Sequence, residues 1–251
     1  MRHVHKAIRT LGKFILFPLI LKDWLGFHRR GADPRFSTKI RDVYPCAWDK
    51  TAQTSFDRHY IYHTAWAARK LAEIKPDVHT DVGSSLYFVG IAAAFVPMRF
   101  YDFRPPDLSL SNLQVHPGNL LHLPFAEHSV HSMSCLHVLE HIGLGRYGDP
   151  IDPQGDVKAA AALAKVVAVG GHLLIVVPVG EPKLRFNAHR IYSRAMVESM
   201  FRPLRLKEFT LIPGESGIPI HQAAEDRVAQ EQFGCGCFWF VNEVGQHAGD
   251  H

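Results

Sequence analysis

The chain has 251 residues, 47% hydrophobic and 21% charged, an ordinary globular composition with enough apolar material for a sizeable core. Lysine and arginine exceed aspartate and glutamate only by 28 to 24, and no dense basic run carries interleaved aromatics, which argues against nucleic acid as a partner. None of the four cysteines lies in a C-x-x-C pair, and Cys235-Gly236-Cys237 is too tight for a zinc knuckle or a relaxed local disulfide. Free thiols in a reducing, cytoplasmic compartment are therefore expected.

Residues 1–45 read as an irregular extension punctuated by Gly26, Gly31, Pro34 and Pro45, ahead of a domain over 46–245. Within it FILFPLIL, residues 14–21, follows a basic stretch. That run is far short of the about 20 residues a membrane span requires. Packing against the protein is favoured over peripheral contact with a membrane surface. Residues 50–75 are expected to form a helix, with Tyr62, Ala65, Trp66, Ala68, Leu71, Ala72 and Ile74 as its apolar stripe and Pro76 as its stop.

A strand–helix alternation follows. VHTDVGSS is a short strand and turn, SLYFVGIAAAF a helix or loop, and MRFYDFR a strand. SVHSMSCLHVLEHI carries a strand into a helix, and VKAAAALAKVVAVGG is helical up to its Gly-Gly stop. HLLIVVPVG is the plainest buried strand. IYSRAMVESMF is a helix, and RLKEFTLI and GCFWFVN are strands. The pattern predicts an α/β fold: a doubly wound, mostly parallel sheet with helices on both faces. Ligands of such sheets lie at the carboxyl ends of the strands.

One string offers a different chemistry. His137-Val138-Leu139-Glu140-His141 is an H-x-x-E-H motif, a zinc-peptidase signature. On a helix, its two histidines share a face and can grip one metal. The strand ends around it point elsewhere. Asp81-Val82-Gly83-Ser84-Ser85 closes the first strand, with a glycine that lets backbone approach a ligand. Asp102 ends the second, 21 residues later, and a carboxylate there has two oxygens for the two hydroxyls of a ribose. GNLLHLPF, with Asn119 and Leu120, forms the third, and Cys135–His137 the fourth.

The ordered set DVGSS, YDF, GNLLHLPF, SVH, HVLEHI and VVAVGGHLLIVVP resembles the class I S-adenosylmethionine-dependent methyltransferases. Their usual run is D-x-G-x-G, an acid ending strand two, G-D-A-x-x-LPF, S-F-D, V-L-E-H and L-K-P-G-G. HVLEHIGLGRYGDPIDPQGD and FNAHRIYS also look like strings of an uncharacterised methyltransferase-like family known only as a domain of unknown function. The resemblance implies S-adenosyl-L-methionine as cofactor and no metal. Asp81, Gly83 and Ser84 would line its methionine end, and Asp102 would bind the ribose. Asn119 and Leu120 would flank the adenine, and His137 would close the pocket near the sulfonium. Ser85, Asn119 and His131 replace residues of the usual motifs, which motivates an alternative: a binding or scaffold protein on this fold.

The expected reaction is methyl transfer to a hydroxyl of a small-molecule or glycan-type acceptor. Residues 143–153 form a Gly- and Pro-rich loop placed to overhang the transfer site. Its Asp149 and Asp152 are candidates for base or metal ligand, and equally for turn and helix caps. His189, in the Phe186–Arg190 segment, titrates near neutral pH and is the best candidate for a general base.

Overall fold

The computed structural model describes residues 17–31, 33–46 and 49–243. The chain divides between Phe56 and Asp57 into two compact units.

In the first unit residues 17–29 are helical (α1), so this segment is more ordered than its punctuation predicts. His28 fastens the end of α1, with Nδ1 on the Trp24 carbonyl at 2.9 Å and Nε2 on the Thr38 hydroxyl at 2.9 Å. Lys50 pairs with Asp23. Most of the basic N-terminal stretch and the start of FILFPLIL lie outside the described residues, as do residues 244–245 at the far end of the expected domain. Among the described residues, no helix is long and apolar enough to cross a membrane.

The second unit is built on an eight-stranded sheet in the order β3-β2-β1-β4-β5-β10-β8-β9. Its strands are β1 (His79–Val82), β2 (Met98–Asp102), β3 (Leu113–Pro117), β4 (Val130–Leu136), β5 (Val167–Val179), β8 (Arg205–Ile212), β9 (Ile220–His221) and β10 (Gly234–Val241). A separate hairpin joins β6 (Lys183–Arg185) and β7 (His189–Ile191). β1 to β5 pair in parallel, whereas β10 runs antiparallel between β5 and β8. The sheet is therefore mostly parallel, as the alternation predicts.

Helices cover both faces: α2 (Arg58–Ile74), α3 (Leu86–Ala92), α4 (Gly155–Val166), α5 (Arg194–Met200) and α6 (Glu225–Ala229). β5 shows why. Leu173, Ile175 and Val177 join a core with Ala159, Ala160 and Leu163 of α4, while Leu174 and Val176 join a second core with Trp66 and Leu71 of α2 and Phe88 of α3. Successive side chains on a strand point to opposite faces, so an unbroken apolar run serves both layers.

Two helix boundaries differ from the sequence expectation. α2 begins at Arg58 rather than near residue 50, because Asp57 caps it by accepting from the Tyr60 N–H at 3.1 Å. Its buried face includes His59 and His63 with Trp66, Ala67 and Leu71, whereas Ala72 of the expected stripe is exposed. α4 stops at Val166, not at the glycine pair. Val167 already pairs with Val130 of β4, and β-branched residues fit the pleated strand better than a helix end.

Candidate functional site

The order β3-β2-β1-β4-β5 reverses direction between β1 and β4, and the crevice outside such a point is where open α/β sheets take ligands. A cavity of about 320 Å³ lies there. Gly83, Asp102, Asn119, Leu120, His137 and Asp149, all singled out in the sequence, line it. Tyr101 of the YDF string, Val138 and Ile142 of HVLEHI, and Tyr147 of the 143–153 loop complete much of its wall.

Gly83 sits at φ +72°, and a Cβ there would meet the Val138 side chain at 3.1 Å. The turn thus requires glycine both for its backbone and for its clearance. Asp102 accepts the Arg104 N–H through Oδ1 at 2.7 Å. Among the described residues its carboxylate makes no other hydrogen bond, so Oδ2 remains an acceptor at the cavity wall.

Asn119 turns its side-chain oxygen toward its own backbone turn. That oxygen accepts the Leu121 N–H at 2.9 Å. The second lone pair of that oxygen and the amide N–H both remain for a ligand.

Asp81 and Ser84 do not line the cavity; both are buried behind it. Asp81 accepts the Ser84 N–H at 3.1 Å, the Ser84 hydroxyl at 2.7 Å and the Ser134 hydroxyl. The Ser84 oxygen in turn accepts the Leu136 N–H at 3.0 Å. These two residues hold the glycine turn against β4. Burial raises the Asp81 carboxyl to about 6, against the lowering effect of Ser134 and Ser84.

The H-x-x-E-H string is not an α-helix. His137 has φ +58°, and a short 3-10 turn spans Leu139–His141. The two histidines do not form a metal pair there. His141 Nδ1 bonds the Ala188 carbonyl at 2.7 Å, whereas His137 Nδ1 donates to Glu140 at 2.8 Å. Burial raises the Glu140 carboxyl, but His137 outweighs it, and the group stays below the usual carboxylate range. Burial likewise opposes charge on His137, yet the neighbouring Cys235 and Glu140 raise it.

The chain as a whole matches known structures in fold. One is the N-methyltransferase NodS from Bradyrhizobium japonicum WM9 in complex with S-adenosyl-L-homocysteine, at TM-score 0.54 and 15% identity, over 79% of this chain and 92% of that one. Another is the Burkholderia thailandensis 1,6-didemethyltoxoflavin-N1-methyltransferase with bound 1,6-didemethyltoxoflavin and S-adenosylhomocysteine, at TM-score 0.53 and 13% identity, over 91% and 89%. The fold is that of the class I S-adenosylmethionine-dependent methyltransferases. It also hosts other chemistry: the [4+2]-cyclase SpnF matches at TM-score 0.53 and 11% identity, over 79% of this chain and 87% of that one. Residues 124–224 match the profile of a family described as Caenorhabditis protein of unknown function, DUF268. No curated protein matches the chain in sequence.

Within this methyltransferase fold, the three candidate catalytic residues have separate places. Asp149 lines the cavity, but its carboxylate accepts the N–H groups of Gly143 at 2.8 Å, Tyr147 at 3.2 Å and Gly145 at 3.4 Å. It shapes the 143–153 loop. Asp152 lies outside the cavity lining, pairs with Lys158 at 2.6 Å and accepts the Gln154 N–H at 3.0 Å ahead of α4. Both carboxylates act as turn and helix-end acceptors. His189 also lies outside the lining; its ring packs on Phe233 at 4.9 Å, and its Nε2 is buried with no hydrogen-bond partner. Burial lowers its pKa, which keeps the ring neutral.

Proposed function

We propose that the protein binds S-adenosyl-L-methionine in the cavity at the ends of β1 to β4 and transfers its methyl group to a hydroxyl of a small-molecule or glycan-type acceptor. The observation that carries this reading is the convergence of Gly83, Asp102, Asn119 and Leu120 on one cavity of about 320 Å³, within the size range of pockets that enclose small ligands.

The residues present fit that cofactor. Gly83 turns its backbone at φ +72° beside the cavity that it lines. The Oδ2 of Asp102 can accept from a ribose hydroxyl, and the Asn119 amide N–H can donate to a ring nitrogen of adenine. Tyr101, Leu120 and Ile142 offer apolar walls to a flat base. When bound, the cofactor supplies a methyl group on a sulfonium leaving group. The protein's part is then to position the acceptor and exclude water.

A hydroxyl acceptor must also lose its proton. We assign that role to His189, which is neutral and has an unpartnered Nε2; because it stands outside the cavity lining, the acceptor must extend beyond the cavity to meet it. Asp149 holds the overhanging loop in place for the acceptor. The four free cysteines, three of them buried, support a reducing, cytoplasmic setting.

Calorimetry with S-adenosyl-L-methionine tests the reading, followed by transfer of labelled methyl to a panel of sugars and small alcohols. Absence of binding at millimolar cofactor sinks it. Binding without transfer favours a scaffold protein on this fold, a reading motivated by the departures at Ser85, Asn119 and His131 from the usual motifs.

A further inference from the structure

His137 Nε2, Cys235 Sγ and a ring nitrogen of His59 converge within the second unit. Their ligand atoms all lie within 4.8 Å of one another, and Cys235 Sγ is 3.5 Å from His137 Nε2. Bond lengths of about 2.0–2.1 Å to nitrogen and 2.3 Å to sulfur put neighbouring ligands of a tetrahedral zinc roughly 3.3–3.6 Å apart. The His137–Cys235 pair already has that separation, and His59 needs to close by about an ångström.

The supporting groups point the same way. Glu140 takes the Nδ1–H of His137 at 2.8 Å, so Nε2 is the nitrogen that faces the cluster and can coordinate once its proton is displaced. A carboxylate behind a histidine is the usual second layer of a metal site. His59 Nε2 is buried and makes no hydrogen bond, and neither nitrogen of His63 makes one, although the two residues are only 8% and 0% exposed. Buried imidazole nitrogens without partners are rare and unfavourable. His59 and His63 stand one turn apart on α2, the i, i+4 spacing that places two histidines on one helix face. The His63 ring centroid lies 4.9 Å from that of His137. Cys235 is held in β10 between Pro178 of β5 and Ile212 of β8. All three ligands therefore come from rigid elements or their immediate ends.

We propose that His59, His137 and Cys235 bind one zinc-class divalent cation, with a fourth coordination position left for solvent, His63 or a ligand atom. An imidazole–imidazole–thiolate set suits a borderline-soft ion and not a hard one such as magnesium or calcium. Binding displaces the thiol proton of Cys235 and any proton on His137 Nε2 to solvent. The site adjoins the cavity through His137, which lines it. The inference does not depend on methyl transfer, and its test uses no cofactor.

The experiment is a cobalt(II) titration of chelator-treated full-length protein, followed by displacement with zinc. The expected result is one equivalent bound, with a sulfur-to-metal charge-transfer band in the near ultraviolet and tetrahedral-type bands in the visible. Cys235→Ser removes the charge-transfer band, whereas Cys237→Ser keeps it. His59→Gln and His137→Gln each weaken binding at least tenfold with the circular dichroism spectrum retained. If Cys235→Ser fails to fold, the two histidine variants decide the outcome alone. No stoichiometric cobalt at tens of micromolar overturns the proposal. So does a charge-transfer band that survives Cys235→Ser, or affinity unchanged in both histidine variants.

Discussion

The imidazole of His79 and the carboxylate of Asp81 share one hydroxyl, that of Ser134. Ser134 donates its single proton to Asp81, so it can only accept from His79 Nε2, at 2.8 Å. His79 is then the neutral Nε2–H tautomer, and its Nδ1 accepts from Ser132 at 2.7 Å. The chain of bonds continues through Ser84 to the Leu136 N–H. It ties β1 to β4 directly beneath the glycine turn.

This pairing sets opposite pH dependences. Asp81 is raised from 3.8 to about 6 by burial. The fold keeps that proton after the unfolded chain has lost it. The stability it contributes is therefore full below 3.8 and is lost as pH rises through about 6. Asp81→Asn removes the descending limb. Its unfolding free energy relative to wild type should rise between pH 4 and 7 by up to about 3 kcal/mol. Urea unfolding across that range measures this; parallel profiles count against it.

His79 acts in the other sense. Burial lowers its pKa from 6.5 to about 3, so the unfolded chain binds a proton that the fold refuses. Its contribution is present above 6.5 and is lost as pH falls toward about 3. His79→Gln should cost stability at neutral pH, through two lost hydrogen bonds, yet flatten the acid limb. Thermal unfolding from pH 4 to 7 reads both effects.

Asp102→Ala should leave the fold intact and weaken binding of S-adenosylhomocysteine by roughly 10- to 100-fold, the value of a hydrogen bond to a charged group, about 1.5–3 kcal/mol. Calorimetry decides. An unchanged affinity removes Asp102 from the ribose.

Gly83→Ala forces a side chain into φ +72° and against Val138. The backbone strain alone is about 1–2 kcal/mol. Stability should fall by about that amount, and cofactor affinity should fall with it, because the turn must move away from Val138. A variant as stable and as tight-binding as wild type contradicts the role given to this glycine.

His189→Gln should lower turnover by about 10²–10⁴-fold if it removes the general base, with cofactor affinity unchanged. A loss confined to KM would instead make His189 a residue that holds the acceptor.

The parallel sheet was legible in the sequence because β5 is an apolar run that must be covered on both faces, and because acids and glycines recur at the strand ends. The cavity wall was partly legible for the same reason: Gly83, Asp102 and Asn119 are turn residues with distinctive chemistry. What lay hidden was how polar atoms were already used. Asp81 and Asn119 read as ligand contacts and Asp149 as either a base or a turn acceptor, but a sequence does not show which backbone N–H groups their oxygens already take. His59 and His63 were missed although their i, i+4 spacing was available. An apolar-stripe reading of α2 passes over histidines, and their partner Cys235 is remote in sequence.

The reversal of β10 has a consequence for how the protein is made. A strand running against its neighbours starts at the edge where they finish, so Cys235 meets His137 across a separation of 98 residues. Synthesis proceeds from the N-terminus. The glycine turn, Asp102 and the LPF segment can all assemble on a growing chain while the imidazole–thiol corner still lacks its sulfur. The cavity's lining residues, all between Val82 and Pro150, are therefore synthesised well before Cys235, and the corner gains its sulfur only with β10, which slots between β5 and β8.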